Sequence, residues 1–126
     1  MAQPPQDVTL APYANGLLAR LRREIAARER RASVLRKRVQ EAASRLTSEY
    51  GARCVWLFGS LAWGDLHEES DVDVLVEGLP AERWEAAAAF LEEAVGVPVD
   101  LIRSEEAPAS LVDRVRRNGR RLHERG

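Results

Sequence analysis

The sequence predicts an α/β domain in which a small β-sheet is flanked by helices and preceded by a long N-terminal helix. Apolar residues step by three and four from Leu18 to Leu46, which is the period of a helix. Short apolar runs at residues 55–58, 72–76 and 97–102 have the pattern of buried strands and alternate with helical stretches. The chain has 126 residues, enough for one domain, and 45% of them are hydrophobic, which suffices for a modest core.

The N-terminal third is predicted to be helical after a loose start. Residues 1–12 contain three prolines, so we expect ordered structure to begin near Tyr13 and the helix to continue to about Tyr50. The predicted organisation has four parts: a flexible leader at 1–12, a basic helical extension at 13–37, a core at 38–118 and a basic tail at 119–126.

The apolar stripe of this helix has heptad spacing, with Arg28 as one polar interruption. Its members are Leu18, Leu21, Ile25, Ala32, Leu35, Val39, Ala42 and Leu46. Two interpretations stay open. In one, the C-terminal half packs on the core sheet while the N-terminal half caps a neighbouring surface. In the other, the helix associates with a second copy or with a partner protein.

The central motif lies between the first two predicted strands. The first strand ends in Gly59-Ser60, where it gives way to a tight turn and a short helix. Ten residues, 61–70, separate Ser60 from Asp71, and Asp73 follows two positions later. Because residues i and i+2 of a strand point to the same side, both carboxylates would face a common point.

These residue types suit phosphate chemistry. Two carboxylates held this close repel each other unless a divalent cation lies between them, and all-oxygen ligands favour Mg²⁺ together with substrate phosphates. Gly59 lets a phosphate approach the backbone, the Ser60 hydroxyl can donate to it, and amides at a helix start favour an anion. Asp100 adds a carboxylate inside an apolar run, where an unpaired charge is costly and the same metal would offset that cost.

The remaining elements alternate helix and strand. A helix is predicted at 81–95, with Trp84 in its apolar stripe and therefore in the core, and Gly96 ends it. A last helix is predicted at 108–118, and Gly119 breaks it. Beyond that glycine we expect a frayed basic tail.

Charge is distributed unevenly, although the formal net charge is −1. The segment from Leu17 to Leu46 carries ten basic residues against three acidic ones, whereas nine basic and sixteen acidic residues follow from Thr47 onward. A solvated helix face explains the basic segment. The other interpretations are an anionic partner, RNA or the protein's own acidic core.

Several protein classes are excluded by composition. Cys54 is the single cysteine, so no internal disulfide can form, and a small buried hydrophobe is its expected role. The start lacks the features of a signal peptide, and no apolar stretch approaches the ~18 residues needed to span a bilayer. We therefore expect a cytoplasmic protein. His67 and His123 belong to no Cys/His cluster of zinc spacing and are expected at the surface, as is Arg103.

The motif resembles that of the minimal nucleotidyltransferases (MNT) of the DNA polymerase β-like superfamily. Their pattern is Gly-Ser, roughly ten residues, Asp-x-Asp and a later strand acid; Gly59-Ser60, Asp71 with Asp73, and Asp100 match it. The resemblance covers about residues 38–105 and implies the polymerase β-like nucleotidyltransferase fold with its small mixed sheet.

The resemblance also implies a metal-dependent reaction. An acceptor hydroxyl would attack the α-phosphorus of a nucleoside triphosphate, with ATP as the expected substrate, and pyrophosphate would leave. Asp71 and Asp73 would hold two Mg²⁺ (or Mn²⁺) ions, Asp100 would help hold the ion on the acceptor side and receive the acceptor proton, and Gly59 with Ser60 would bind the outer phosphates.

Small members similar to this chain often act as the antitoxin of a helical HEPN-type partner, and some transfer AMP from ATP onto a tyrosine of that partner. This is the leading hypothesis, and a nucleic-acid partner is not expected. A non-catalytic protein that neutralises its partner by docking is the alternative, favoured by Leu61 and Trp63 where many members carry basic residues. Trp63 would then be a hydrophobic plug, although it could instead stack on a base. A nucleotidyltransferase of the antibiotic-modifying kind is a second alternative, disfavoured because those proteins carry a further domain for the acceptor.

Overall fold

The computed structural model describes the backbone of residues 5–63 and 72–125, and the side chains of residues 14–62 and 72–125. No helix within these ranges combines the length and the apolar content that crossing a membrane requires.

The long helix α1 comprises Pro5–Ser48, so it begins earlier than the start near Tyr13 that the sequence predicts. A proline fits the first helical turn because its missing N–H would have no partner there. The chain divides within α1 into two compact units, residues 1–31 and residues 32–126. In the first unit, four large apolar side chains of α1 are between 43% and 58% exposed. They are Leu17, Leu18, Leu21 and Ile25.

The second unit is built on a four-stranded mixed sheet. Its strands are β1 (Cys54–Phe58), β2 (Val72–Glu77), β3 (Val99–Arg103) and β4 (Arg120–Glu124), in the spatial order β3-β2-β1-β4. β1 pairs antiparallel with β2 and with β4, whereas β2 and β3 are parallel. The predicted α/β fold, with a small mixed sheet and a long N-terminal helix, is therefore confirmed.

Shorter helices connect the strands. They are α2 (Ser60–Trp63), α3 (Trp84–Val95) and α4 (Ala109–Asn118), with 3-10 turns at Ala81–Arg83 and Ser104–Glu106. α3 supplies the crossover that a parallel pair of strands needs. Gly96 ends α3 as predicted, and its φ of 85° lies in the left-handed region that glycine adopts without strain.

The main core lies between one face of the sheet and helices α1 and α3. Val55 and Leu57 of β1 point to this face, because alternate residues of a strand share a side. The same cluster contains Ala32, Leu35, Val39 and Leu46 of α1, Val72, Val74 and Val76 of β2, and Leu91 and Val95 of α3. The C-terminal part of the heptad stripe thus packs on the sheet, as one of the two interpretations predicts.

A smaller cluster around Phe58 and Leu75 lies on the opposite face, where α4 packs. Glu77 of β2 is buried and accepts hydrogen bonds from Trp56 Nε1 over 2.9 Å and from the guanidinium of Arg116 on α4. Burial raises the pKa of Glu77, but the bonds from Arg116 and Trp56 outweigh it and hold the pKa below its ordinary value. The buried carboxylate therefore ties α4 to the sheet as an anion.

The expectation of a frayed C-terminal end is wrong. Arg120–Glu124 form β4, which pairs with β1 along the outer edge of the sheet. Within β4 only Leu122 is buried, so the order of this charged strand comes from its backbone pairing more than from apolar burial. The side chain of His123 is half-buried rather than exposed, and its Nδ1 lies 3.0 Å from Thr47 Oγ1.

Two further side chains differ from prediction. Trp84 is 38% exposed rather than in the core, because its Nε1 donates to the carbonyl oxygen of Leu101 over 2.9 Å at the margin of the sheet. The Arg103 side chain is only 12% exposed, and its Nε donates to the carbonyl oxygen of Leu79 over 2.8 Å. Cys54 is buried as predicted, and burial raises the pKa of its thiol.

Candidate active site

The turn after β1 requires glycine. Gly59 has a φ of 76°, in the left-handed region where a side chain is strained. An added Cβ would also collide with the carboxylate of Asp73, since it would stand 3.1 Å from Cγ of that residue and closer still to Oδ2. The Asp73 carboxylate therefore lies against the backbone of Gly59, and α2 begins at the next residue, Ser60.

The parallel pairing of β2 with β3 brings two carboxylates together. Asp73 and Asp100 are partners in the register of these strands. Register partners point to the same face of a sheet, and neighbouring strands are about 4.8 Å apart. Asp73 is also the partner of Phe58, the residue before Gly59. Gly59, Ser60, Asp73 and Asp100 therefore lie at the same end of the neighbouring strands β1, β2 and β3.

The environment of Asp100 differs from the sequence analysis, which placed it in an apolar surrounding. Asp100 is exposed, whereas its neighbours Val99 and Leu101 are buried. The reason is strand geometry: β3 is an outer strand, and alternate residues point to opposite faces, so the apolar neighbours face the core and the carboxylate faces solvent. A buried charge is therefore not a reason to expect a metal at Asp100, whereas its pairing with Asp73 is.

Several residues of the predicted site lie outside the described residues. Asp71 is one of them, and its role as a metal ligand stays a prediction from the sequence. His67 and the side chain of Trp63 also lie outside this range.

The adjoining carboxylates fit a magnesium ion. Among the described residues, no group of three or more His, Cys, Asp and Glu is placed to hold a metal. Asp73 and Asp100 offer oxygen ligands only, and Mg²⁺ is commonly bound through one or two carboxylates together with waters and substrate phosphates. This donor set fits Mg²⁺, with Asp71 as the predicted further ligand.

The surroundings of α2 include a residue that sequence reasoning passed over. Leu61, the second residue of α2, is 2% exposed and belongs to the main core. Arg36 of α1 donates from Nη1 to the carbonyl oxygen of Leu61 over 3.2 Å. In the sequence, Arg36 is one of ten basic residues between Leu17 and Leu46. Its position directly after the core residue Leu35 was the available signal that it borders the packed face.

The part of the chain that contains the sheet, the glycine turn and the paired carboxylates matches a known protein family. The family model described as "Polymerase beta, Nucleotidyltransferase" matches residues 40–126. The chain belongs to this family, and its fold is the polymerase β-like nucleotidyltransferase fold, as the resemblance implied. No curated protein matches the sequence.

Solved structures with the same fold include minimal nucleotidyltransferases and toxin–antitoxin proteins. One assigned as a minimal nucleotidyltransferase is 32% identical over 70% of this chain and 92% of its own, with a TM-score of 0.61. A toxin–antitoxin solved with AMP-PNP is 25% identical over 68% of this chain and 73% of its own, with a TM-score of 0.59. The complex of tri-AMPylated Shewanella oneidensis HEPN toxin with MNT antitoxin is 21% identical over 72% of this chain and 73% of its own, with a TM-score of 0.54. At this identity the match shows a shared fold and nothing more.

Proposed function

We propose that the protein is a Mg²⁺-dependent nucleotidyltransferase that moves AMP from ATP onto a hydroxyl of a HEPN-type partner, as the cytoplasmic antitoxin of a toxin–antitoxin pair. The observation that carries the proposal is the pairing of Asp73 with Asp100 beside the Gly59 turn. The 25% identical toxin–antitoxin solved with AMP-PNP supports the nucleotide and the class of partner. The HEPN type and the AMP transfer are taken from the Shewanella complex.

Each site residue has a role in this reaction. Asp71 and Asp73 would hold the metal ions, and Asp100 would help hold the ion at the acceptor side and accept the proton of the acceptor hydroxyl. Bound Mg²⁺ would neutralise phosphate charge and align the attacking oxygen with the α-phosphorus. Gly59 and Ser60 would bind the outer phosphates, with the Ser60 hydroxyl donating to them. Pyrophosphate then leaves as AMP is joined to the acceptor.

The exposure of Asp100 supports an acceptor on another macromolecule. Its carboxylate faces solvent on an outer strand, so a hydroxyl carried by a second protein can reach it without rearrangement of the sheet. Of the two site carboxylates that the structure describes, the one proposed to accept the proton is the more exposed.

One observation favours the alternative of an antitoxin that only docks. Leu61 stands where many family members carry a basic residue, and its side chain is buried in the core. Position 61 therefore contributes no positive charge to the phosphates. This absence would weaken nucleotide binding and leave docking as the function.

Transfer of AMP separates the two functions. Wild type and Asp100→Asn are incubated with labelled ATP, Mg²⁺ and the product of the neighbouring gene, and the mass of that product is measured by mass spectrometry. Glu93→Gln, which removes an exposed carboxylate from α3, is the matched control. We expect an AMP increment with wild type and Glu93→Gln and none with Asp100→Asn. Complex formation without any increment would identify the docking antitoxin.

A further inference from the structure

The first compact unit of the chain presents an apolar stripe to solvent. We call residues 14–31 of α1, the part of this unit whose side chains are described, the basic arm. Leu18, Leu21 and Ile25 follow one another at spacings of three and four, so they lie on one side of the helix, and each is between 43% and 58% exposed. The family model begins at residue 40, so the arm lies outside the part of the chain that matches the family. An exposed apolar stripe is typical of a surface that contacts another macromolecule.

Arg28 occupies the next position of this stripe. It stands three residues after Ile25 and seven after Leu21, so an occupant that covers the apolar side chains also reaches this arginine. A guanidinium that loses its water costs free energy unless an acceptor replaces that water, and a carboxylate fits its planar fork. The stripe is therefore complementary to an apolar surface that carries a carboxylate at one end.

The charge of the whole arm favours the same kind of occupant. Residues 14–31 contain six arginines and two glutamates, which give a net charge of +4. All six arginines are exposed. Charge complementarity across an interface speeds encounter, and juxtaposed like charges exclude wrong partners. The arm is thus suited to an acidic protein surface.

A second copy of the arm does not meet these requirements. The exposed stripe spans little more than one heptad, because Ala14 precedes it and the later apolar positions of α1 are buried on the sheet. Coiled coils are sustained over about three to four heptads. A parallel pair would place Arg28 against its own counterpart. An antiparallel pair that aligns Leu21 with Ile25 would place apolar Leu18 against a guanidinium. Either pairing leaves the covered charge without an acceptor.

We propose that the stripe of the basic arm docks into a groove of the partner protein that is lined by apolar side chains and carries a carboxylate opposite Arg28. A groove covers a helix on several sides, so a short apolar stripe is enough to anchor it. The inference rests on the proposed function, because it takes the product of the neighbouring gene as the partner. It adds a docking element that contains none of the residues proposed for AMP transfer.

Calorimetric titration of the full chain with the purified product of the neighbouring gene tests the apolar contact. In the double variant Leu21→Gln with Ile25→Gln, we expect the dissociation constant of the complex to rise at least about ten-fold, because two apolar side chains are lost from the interface. Val34→Gln is the matched control, since Val34 is 47% exposed on the same helix and lies outside the stripe. We expect this variant to bind as wild type does.

Two charge reversals test the carboxylate. Arg28→Glu and Arg30→Glu change the net charge equally, but Arg30 does not belong to the stripe. Arg28→Glu should weaken the complex at least about ten-fold and Arg30→Glu less than about three-fold, because only the first brings two carboxylates together. Thermal unfolding of each variant checks the fold, which we expect to be kept because the substituted side chains are exposed. If the double variant does not fold, the charge reversals carry the comparison.

Four outcomes would overturn the inference. Unchanged affinity in the double variant would mean that the arm does not dock, and equal losses in the two charge reversals would mean that the partner has no carboxylate opposite Arg28. In both cases the proposed function stands, because wild type binds the product of the neighbouring gene. Light scattering that finds wild type dimeric and the double variant monomeric would assign the stripe to a second copy. Absence of binding by wild type would overturn the proposed partner and the inference together.

Discussion

Substitution of Gly59 by alanine tests the site at its most constrained point. The left-handed φ of 76° would cost an L-residue about 1–2 kcal/mol. The new Cβ would also displace the Asp73 carboxylate, which occupies the same space. The first effect lowers stability, whereas the second moves a proposed metal ligand away from its partner Asp100.

Gly51→Ala separates the two effects. Gly51 has a similar φ of 87°, but a Cβ there would meet nothing nearer than Pro80 Cδ at 3.6 Å, which is an ordinary contact. Both variants should therefore lose about 1–2 kcal/mol from the backbone, or roughly 3–8 °C in the midpoint of thermal unfolding. Only Gly59→Ala should also weaken the binding of Mg²⁺ with ATP, by about ten-fold or more.

The assay combines thermal unfolding with calorimetric titration of Mg²⁺ and ATP, for wild type and both variants. Subtracting the Gly51→Ala result removes the shared backbone cost. If Gly59→Ala binds Mg²⁺ and ATP as tightly as Gly51→Ala does, then the contact between Gly59 and Asp73 is irrelevant to the site, and the reasoning is refuted.

Three further predictions concern pH, surface and packing. Because the pKa of Glu77 is lowered in the folded state, its stabilising effect is present at neutral pH and is lost as pH falls below 4.5 through that lowered value. Glu77→Gln should lower the free energy of unfolding by about 1–2 kcal/mol at pH 7, a modest amount because Arg116 is half exposed. In urea unfolding at acid pH, the difference between this variant and wild type should vanish. Replacing Leu18 and Ile25 together by Gln should lower the molecular mass that light scattering measures for the protein alone or for its mixture with a partner, and should leave the unfolding midpoint unchanged. A lower midpoint would instead show that these two side chains pack inside the protein. Gly119→Ala should destabilise the fold by about 1–3 kcal/mol, since its Cβ would lie 2.6 Å from the carbonyl oxygen of Val115, and an unchanged urea midpoint would contradict that packing.

The strands that the sequence predicts well are those whose residues are apolar on consecutive positions. β1 and β2 are the inner strands, covered on both faces, so β1 is an unbroken apolar run and β2 is apolar at every position except Asp73 and Glu77. β4 was missed because it lies at the edge and carries one buried residue, Leu122, among charged ones. Its position depends on hydrogen bonds to β1, which no local pattern records.

For the site residues too, the local sequence predicts residue type and spacing, whereas exposure and long-range contacts depend on the fold. The turn at Gly59 and the acids at Asp73 and Asp100 could be named from residue type and spacing, and the structure brings them to the same end of three neighbouring strands. The exposure of Asp100 could not be named, because it depends on which strand is outermost. Arg36 was not singled out either, since its contact with Leu61 spans 25 residues.

The central claim is that Asp71, Asp73 and Asp100 bind metal and nucleotide, and one titration tests it most directly. Wild type, the double variant Asp71→Asn with Asp73→Asn, and the exposed control Glu93→Gln are titrated calorimetrically with ATP in the presence of Mg²⁺ or Mn²⁺. We expect wild type and Glu93→Gln to give the same binding heat, and the double variant to give none, because the ions would have lost the carboxylates that hold them. Unchanged binding in the double variant would contradict the assignment of the site.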